Sequence, residues 1–239
     1  MSAPAELFAA AWCALDAELD WPALGRAHCS EGGDDFFAPE QRAPIFETGL
    51  LFADDLAAAL SPGGRSLYVG ASVAELPAIL CEALVLEREV LWHDLPGPIT
   101  DELNRALASV AGELDAPLPH ITTAGLEEVE PGTCDHAWFV SVLTDPEAFP
   151  ALHDALYERT GELATGRGDL GADRERARAL VELVLDRLVL PSRLATTTEE
   201  LDLVTQAVEA RGWRLEVPPG ARLSAVVGDP VQSCTVTDA

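Results

Sequence analysis

Short continuous apolar runs alternate along this chain with longer stretches in which apolar residues recur at helical spacing. Continuous runs bounded by turn residues are typical of buried strands, and the longer period is typical of amphipathic helices. Strands are predicted at 67–69, 90–92, 120–123, 134–142, 188–190, 213–217, 222–227 and 232–236. Helices are predicted at 6–19, 45–60, 73–86, 99–111, 149–157, 173–188 and 198–211. The alternation indicates an α/β protein that ends in an antiparallel hairpin.

The first two helices precede the first strand and are separated by a predicted loop that follows Leu19 and includes the stretch from Cys29 to Pro44. We therefore expect an N-terminal helical extension at 1–60 and one larger α/β domain at 61–239. A chain of 239 residues is long enough for such a domain and its core.

The segment from Ser66 to Asp94 predicts half of a nucleotide-binding site. Its first strand stops at Gly70, a helix follows with Glu75 in its first turn, and the second strand ends at Asp94, 24 residues after Gly70. An acid there can accept both ribose hydroxyls of an adenosine ligand. Backbone N–H groups at the turn and at the start of the helix can face the polar end of that ligand.

This segment resembles motif I of the class I S-adenosylmethionine-dependent methyltransferases, with Gly70 as the first glycine and with Ser72 and Ala74 where that family usually has glycines. The resemblance spans residues 45–239. It implies a three-layer Rossmann-like sandwich, a mostly parallel seven-stranded sheet and an N-terminal extension that either forms a lid over the site or covers the edge of the sheet. It also implies S-adenosylmethionine as cofactor, with these binding residues: Gly70, Ala71, Ser72, Glu75, Asp94, Thr123 and Ser141.

Two other interpretations of the same motif stay open. A nicotinamide fingerprint would place Gly70, Ser72 and Glu75 at its three glycine positions, where the charge of a glutamate would oppose a pyrophosphate. A methyltransferase-like domain without activity, serving as a binding or assembly subunit, would explain the two missing glycines. It would also explain why no acid directly follows the third strand in HITTAGLEEVE.

Further polar residues are candidates for the acceptor side of the site. The fourth strand, at 134–142, resembles the corresponding element of the same family, whose following turn faces the methyl group. We therefore expect Ser141, Thr144 and Asp145 to line the site, although Asp145 is also a good helix cap. His136, His153 and Tyr157 are further polar candidates, and the pattern singles out no catalytic residue. Arg193 follows a predicted strand end and can line the site, whereas Arg174, Arg176 and Arg178 are expected to be exposed and ion-paired.

The amino-acid composition narrows the range of possible binding partners. The chain has 41 acidic residues against 15 basic ones, for a net charge of −26, and every base is arginine. Such a surface disfavours nucleic acid and anionic membranes and favours neutral or cationic partners, although an acidic surface also serves solubility. The N terminus has no basic segment before an apolar one, and no apolar run approaches the ~20 residues of a membrane span. We expect a soluble cytoplasmic protein.

The five cysteines, at positions 13, 29, 81, 134 and 234, show no zinc-type spacing, so no metal site is predicted. Cys81 and Cys134 fall on apolar elements and are expected to pack in the core. The predicted function is methyl transfer from S-adenosylmethionine to a small-molecule or peptide acceptor.

Overall fold

The computed structural model describes residues 3–29 and 33–239, which form two compact units. The first unit comprises the chain up to Ala124 together with Ala225–Val227, and the second comprises Gly125–Ser224 and Gly228–Ala239. Each unit combines helices with β-strands.

In the first unit, three strands form a parallel sheet in the order β3-β2-β1, and the register aligns Val69 with His93 and Trp92 with Ile121. The fully buried side chains of its core include Leu67, Tyr68 and Trp92. The strands are β1 (Arg65–Val69), β2 (Glu89–His93) and β3 (Ile121–Thr122). The helices are α1 (Ala3–Glu18), α2 (Trp21–His28), α3 (Pro39–Ala59), α4 (Leu76–Leu80) and α5 (Pro98–Leu114).

Helix α2 lies where the sequence pattern predicts a loop. Asp20 caps it by accepting a hydrogen bond from the Ala23 N–H at 3.0 Å, and Pro22 suits the first turn of a helix. Helix α3 begins at Pro39, before the predicted start at residue 45, again with proline in its first turn. Of the predicted loop between these helices, Gly33–Asp35 forms a short 3₁₀ turn, and residues 30–32 lie outside the described residues.

The helix predicted after β1 is built from three kinds of turn. A 3₁₀ turn at Val73–Glu75 leads into α4, and a π-helical turn at Cys81–Val85 follows. The π turn is closed by a hydrogen bond from the Leu86 N–H to the Cys81 carbonyl at 3.0 Å. π turns are rare and occur mostly as single turns of this kind.

Glu82, on the π turn, forms the centre of a buried polar network beneath β1. Its carboxylate accepts hydrogen bonds from the Ser66 hydroxyl and from the Tyr68 hydroxyl at 2.5 Å. The Arg88 guanidinium pairs with Glu82 at 3.1 Å and also donates to the Ser61 carbonyl. Both charged side chains are fully buried. A buried charge of this kind is tolerated because it is paired and hydrogen-bonded.

The outer strand of the first unit, β3, is held by a side chain of α5. The Asn104 amide donates to the Ile121 carbonyl at 2.9 Å and accepts from the Ile121 N–H at 2.8 Å. The side-chain amide thereby takes the place of a neighbouring strand and satisfies backbone groups that an edge strand leaves exposed.

In the second unit, β4 and β5 pair in parallel, and β8 pairs antiparallel with β5, β6 and β7. The strands are β4 (Cys134–Phe139), β5 (Leu188–Thr197), β6 (Trp213–Glu216), β7 (Arg222–Leu223) and β8 (Pro230–Asp238). The helices are α6 (Pro150–Leu156), α7 (Leu170–Arg187) and α8 (Leu201–Ala210). Arg222 pairs with Val231 as the predicted terminal hairpin requires, but the first strand of the hairpin ends at Leu223 and not at residue 227.

Strand β5 corrects the prediction, which ends this strand before Pro191. Cys134 of β4 pairs with Leu188 of β5, and His136 pairs with Arg193. The two strands thus span different numbers of residues between these pairs, and Pro191 lies in this irregular part of the pairing. Proline is compatible with a strand at such a position because no ladder hydrogen bond is required from it. Strand β4 ends at Phe139, and this leaves Ser141 in the following loop.

The architecture confirms the predicted Rossmann-like α/β class. Seven strands correspond to those of the expected sheet, and the eighth is the two-residue β7, which pairs only with β8. The boundary predicted at residue 60 stays a prediction. Within residues 3–29 and 33–239, no helix has both the length and the apolar character that crossing a bilayer requires. Cys81, Cys134 and Cys234 are buried, whereas Cys13 is exposed.

Candidate functional site

The loop after β1 begins with a left-handed turn at Gly70. Its φ is 67°, a value that glycine adopts without strain, and its N–H donates to the His93 carbonyl of β2 at 2.9 Å. The buried Trp92 indole donates to the Ala71 carbonyl at 3.1 Å. These two hydrogen bonds hold the loop against the end of β2.

The replacement of two motif glycines carries no backbone strain. Ser72 has φ −135° and ψ −151°, which is extended backbone open to any residue. The non-glycine residues with positive φ in the described part of the chain all lie elsewhere, so Ala71 and Ala74 need no left-handed conformation either. Gly70 is therefore the position in this loop whose backbone requires glycine.

Glu75 folds back onto the loop. Its carboxylate accepts the Ser72 N–H at 2.8 Å, while the Ser72 side chain caps the backbone of Glu75, which completes a capping box. Burial raises the pKa of Glu75 to about 7, and the nearby charge of Asp94 adds to the rise, although the bond from the Ser72 N–H opposes it. The loop thus holds a carboxyl group that titrates near neutral pH.

Asp94 lies directly after β2 and is half-buried. One carboxylate oxygen accepts the Leu95 N–H at 2.7 Å, and the Asp94 N–H donates to the Thr122 carbonyl at 3.1 Å. Thr123 follows β3 and is exposed, whereas the Thr122 hydroxyl accepts the Ala124 N–H. The first unit therefore brings Gly70, Ala71, Ser72, Glu75 and Asp94 together at the carboxyl ends of β1 and β2, with Thr123 at the end of the adjacent strand.

His28 is a neighbour of this loop that the sequence pattern does not reveal. Its Nε2 lies 3.3 Å from the Ser72 hydroxyl, and its ring contacts Phe36 and Phe37 at centroid distances of 6.1 and 5.3 Å. Burial lowers the pKa of His28, which favours the neutral ring. Because 44 positions separate His28 from Ser72, no local motif could connect them.

A cavity of about 330 Å³ adjoins these aromatic rings in the first unit. Its lining includes Asp35, Phe36 and Phe37, together with Ala225 and Val226 of the short segment that packs with this unit. Aromatic walls beside a carboxylate suit a neutral or cationic guest.

The predicted site residue Ser141 belongs to the second unit, where it takes part in a different cluster. Its φ is 58°, and its hydroxyl donates to the Asp229 carboxylate at 2.8 Å. The Tyr157 hydroxyl donates to the same carboxylate at 2.7 Å. Burial raises the pKa of Tyr157, and the bond to Asp229 raises it further. Ser141 thus bonds to Asp229 within the second unit, and its role toward a cofactor stays a prediction.

His153 and Thr144 extend this cluster. The buried His153 ring lies 4.9 Å from the Tyr157 ring, and its Nδ1 is 2.5 Å from the Thr144 carbonyl. His153 Nε2 is buried and has no hydrogen-bond partner in the part of the chain that the structure describes. The sequence pattern names Ser141, Thr144, His153 and Tyr157 separately, but it misses Asp229, which joins them from the far end of the chain.

The remaining candidates have structural contacts. Asp145 accepts the Glu147 N–H at 2.8 Å and so caps a turn, while α6 begins only at Pro150. His136 is buried within β4, and Arg193 donates to the Thr235 hydroxyl of β8 at 2.7 Å. The contacts of Asp145 and Arg193 thus stabilise a turn and a strand pair.

This chain resembles known proteins in structure alone. No protein-family model and no curated protein matches the sequence. Solved structures similar to this chain include a methyltransferase from Pyrococcus furiosus, with 14% identity, coverage of 82% of this chain and 83% of that one, and a TM-score of 0.49. Another is precorrin-6y C5,15-methyltransferase from Geobacter metallireducens, with 13% identity, coverage of 81% and 88%, and a TM-score of 0.47.

A third similar structure is that of Pyrococcus horikoshii TYW2 in complex with MeSAdo, with 10% identity, coverage of 80% of this chain and a TM-score of 0.49. The chain spans 64% of the length of that protein and of a putative transferase from the same organism. All of these likenesses have low sequence identity, and the Rossmann-like class described above stands on the strand pairing of this chain itself.

Proposed function

We propose that this protein transfers a methyl group from S-adenosylmethionine to a small-molecule or peptide acceptor. The observation that carries the proposal is the left-handed turn at Gly70, hydrogen-bonded to the end of β2 directly before Asp94. A turn of this kind lets a ligand approach the backbone closely, and the acid at the neighbouring strand end is placed to accept ribose hydroxyls.

The residues of the first unit fit this cofactor. The loop accommodates Ser72 without strain, and the carboxyl groups of Glu75 and Asp94 suit a ligand whose other end carries positive charge. The cofactor supplies a methyl group on a sulfonium leaving group, which departs with little acid assistance. The protein would then act by aligning the methyl group with the acceptor. Asp94 holds the ribose, Thr123 is available to the adenine edge, and the loop backbone fixes the rest of the cofactor.

The same geometry disfavours a nicotinamide dinucleotide. Glu75 directs its carboxylate at the Ser72 N–H, in the loop where a dinucleotide would place its pyrophosphate. A phosphate there would find this backbone donor already occupied by the Glu75 carboxyl group.

The aromatic cavity beside His28 supports an acceptor that is neutral or cationic. Phe36 and Phe37 offer apolar faces, Asp35 offers a negative charge, and His28 links these rings to the loop through Ser72. The net charge of −26 likewise disfavours a polyanionic acceptor such as nucleic acid.

One observation favours the alternative of an inactive domain that acts as a binding or assembly subunit. The Ser72 N–H already has Glu75 as its partner, and the Ser72 hydroxyl lies within hydrogen-bonding distance of His28. A loop whose polar groups bond to the protein itself offers fewer groups to a ligand.

Calorimetric titration with S-adenosylhomocysteine, the product form of the cofactor, separates these functions. We expect saturable binding that Asp94→Asn weakens by about tenfold or more, because hydrogen bonds to an ionised acceptor are lost. Asp115→Asn is the matched control. Asp115 caps the end of α5 in the left-handed conformation that asparagine tolerates, so its variant should bind like the wild type.

Titration with NAD completes the experiment. Binding of NAD in preference to S-adenosylhomocysteine would contradict the proposal in favour of a dinucleotide enzyme. The absence of binding by either ligand to the folded protein would contradict it in favour of the inactive subunit.

A further inference from the structure

The second unit contains a cavity of about 230 Å³ whose lining includes neither Ser141 nor Asp229. It is bounded by α6, α7, α8 and the turn before α8. Its lining combines three leucines, two arginines, two acids and an amide: Leu152, Leu156, Leu203, Arg174, Arg178, Glu199, Asp202 and Gln206.

The arginines of this cavity are available to a ligand. Arg174 and Arg178 are four residues apart on α7, on one face of the helix, and both are exposed. Neither forms a hydrogen bond or an ion pair with any residue in the ranges 3–29 and 33–239. Arg176 differs, because it pairs with Asp173 at 2.6 Å. The expectation of ion pairing is therefore met by Arg176 and not by its two neighbours.

The acids of the cavity are also not neutralised. Glu199 Oε2 is buried and has no hydrogen-bond partner within the described chain. Asp202 accepts a hydrogen bond from Gln206 at 2.8 Å, which leaves its charge uncompensated. No ion pair within 4 Å joins these acids to Arg174 or Arg178 in the described residues, although all four line one cavity. Opposite charges that share a cavity without touching leave room for a ligand carrying both.

The apolar part of the lining defines the rest of the ligand. Leu152 and Leu203 are buried and Leu156 is half-buried, so they offer an aliphatic surface beside the charged groups. The volume lies below the ~300–1,000 Å³ of pockets for drug-sized ligands, which points to a guest smaller than a drug molecule. A carboxylate fits the two guanidinium groups, and an ammonium group fits the two acids.

We propose that this cavity binds a small zwitterion, a free α-amino acid with an aliphatic side chain. The carboxylate lies toward Arg174 and Arg178, the ammonium group lies toward Glu199 and Asp202, and the side chain packs on the leucines. This site does not depend on the proposed methyl transfer, since every group that forms it belongs to the second unit.

The test is titration of the full chain with L-leucine, followed calorimetrically. Two analogues each lack one charge: L-leucinamide has no carboxylate, and 4-methylpentanoate has no ammonium group. We expect saturable binding of L-leucine and clearly weaker binding of both analogues. Arg178→Gln and Glu199→Gln should each weaken L-leucine binding by about tenfold, because each removes a charge-assisted contact.

Arg214→Gln is the matched control, because Arg214 is an exposed arginine of β6 that pairs with Glu216 outside the cavity. It should leave binding unchanged, and thermal unfolding of every variant checks that the fold is intact. The absence of saturable L-leucine binding to the folded wild type would overturn the proposal. Equal binding of L-leucinamide, or wild-type affinity in Arg178→Gln, would overturn it as well.

Discussion

Glu75 gives the cofactor loop a pH dependence that can be measured through stability. The folded protein holds a proton on this carboxyl up to about pH 7, whereas an unperturbed glutamate releases it near 4.5. The raised pKa contributes stability that is fully present below about pH 4.5 and is lost as the pH rises through about 7. The free energy of unfolding should therefore fall over this range.

Chemical denaturation at about pH 5 and at about pH 8 measures this effect. Between these values we expect the wild type to lose more stability than Glu75→Gln, because glutamine accepts the Ser72 N–H without ionising. Glu113→Gln, at an exposed position of α5, is the control and should track the wild type. An identical pH response of the wild type and Glu75→Gln would contradict the assignment.

At the scale of single residues, the sequence predicts what is local. Gly70, Glu75 and Asp94 lie within one strand–helix–strand segment, so their proximity follows from the spacing of the elements. The contact of Ser141 with Asp229 joins positions 88 residues apart, and no periodicity or motif encodes such a separation. The conformation of Ser72 also could not be predicted from the sequence. A serine at a position where a family usually has glycine does not indicate whether the backbone there has a positive φ.

At the scale of elements, the buried Glu82–Arg88 pair joins the π turn to the residue before β2, and both side chains bond to Ser66 of β1. These two positions should be among the most sensitive of the first unit. Removal of one partner leaves the other charge buried without compensation, which costs about 3–5 kcal/mol. We expect Arg88→Met to lower the free energy of unfolding by that amount in urea denaturation. The double change Glu82→Gln with Arg88→Met should recover part of the loss, because it leaves no unpaired charge.

Arg65→Met is the matched control for this prediction. Arg65 pairs with Glu89 between neighbouring strands at 2.7 Å, but both side chains retain contact with water. Exposed pairs contribute about 1 kcal/mol or less. The prediction fails if Arg88→Met costs no more than Arg65→Met.

The elements themselves were predictable to different degrees. The amphipathic helices α5 and α8 bury apolar residues at helical spacing, and their positions follow from that spacing. Helix α2 has only eight residues, which is too short a stretch for its pattern to be distinguished from a loop, and it is held by the Asp20 cap and by packing. Strand β5 passes Pro191 because of a pairing irregularity, which depends on a partner strand more than fifty positions earlier and cannot be inferred from its own residues.

At the scale of the whole molecule, the net charge of −26 opposes folding through self-repulsion. Salt shortens the Debye length from ~30 Å at 0.01 M to ~3 Å at 1 M and so weakens this repulsion. We expect the thermal midpoint to rise steadily as sodium chloride increases over this range. Choline chloride at equal ionic strength is the control, and it should raise the thermal midpoint by the same amount because screening depends on ionic strength. A thermal midpoint that stays constant or falls with salt would contradict the role of self-repulsion.

The distribution of the cysteines gives the protein built-in reporters of its own opening. Cys81 is buried in the first unit and Cys234 in the second, and burial raises the pKa of each to about 11. A folded chain therefore exposes almost no thiolate at either position, and alkylation requires local opening. Pulsed alkylation with peptide mass analysis would follow each unit separately in the unmodified wild-type chain. Cys13 would serve as the internal standard because it is exposed in the folded protein.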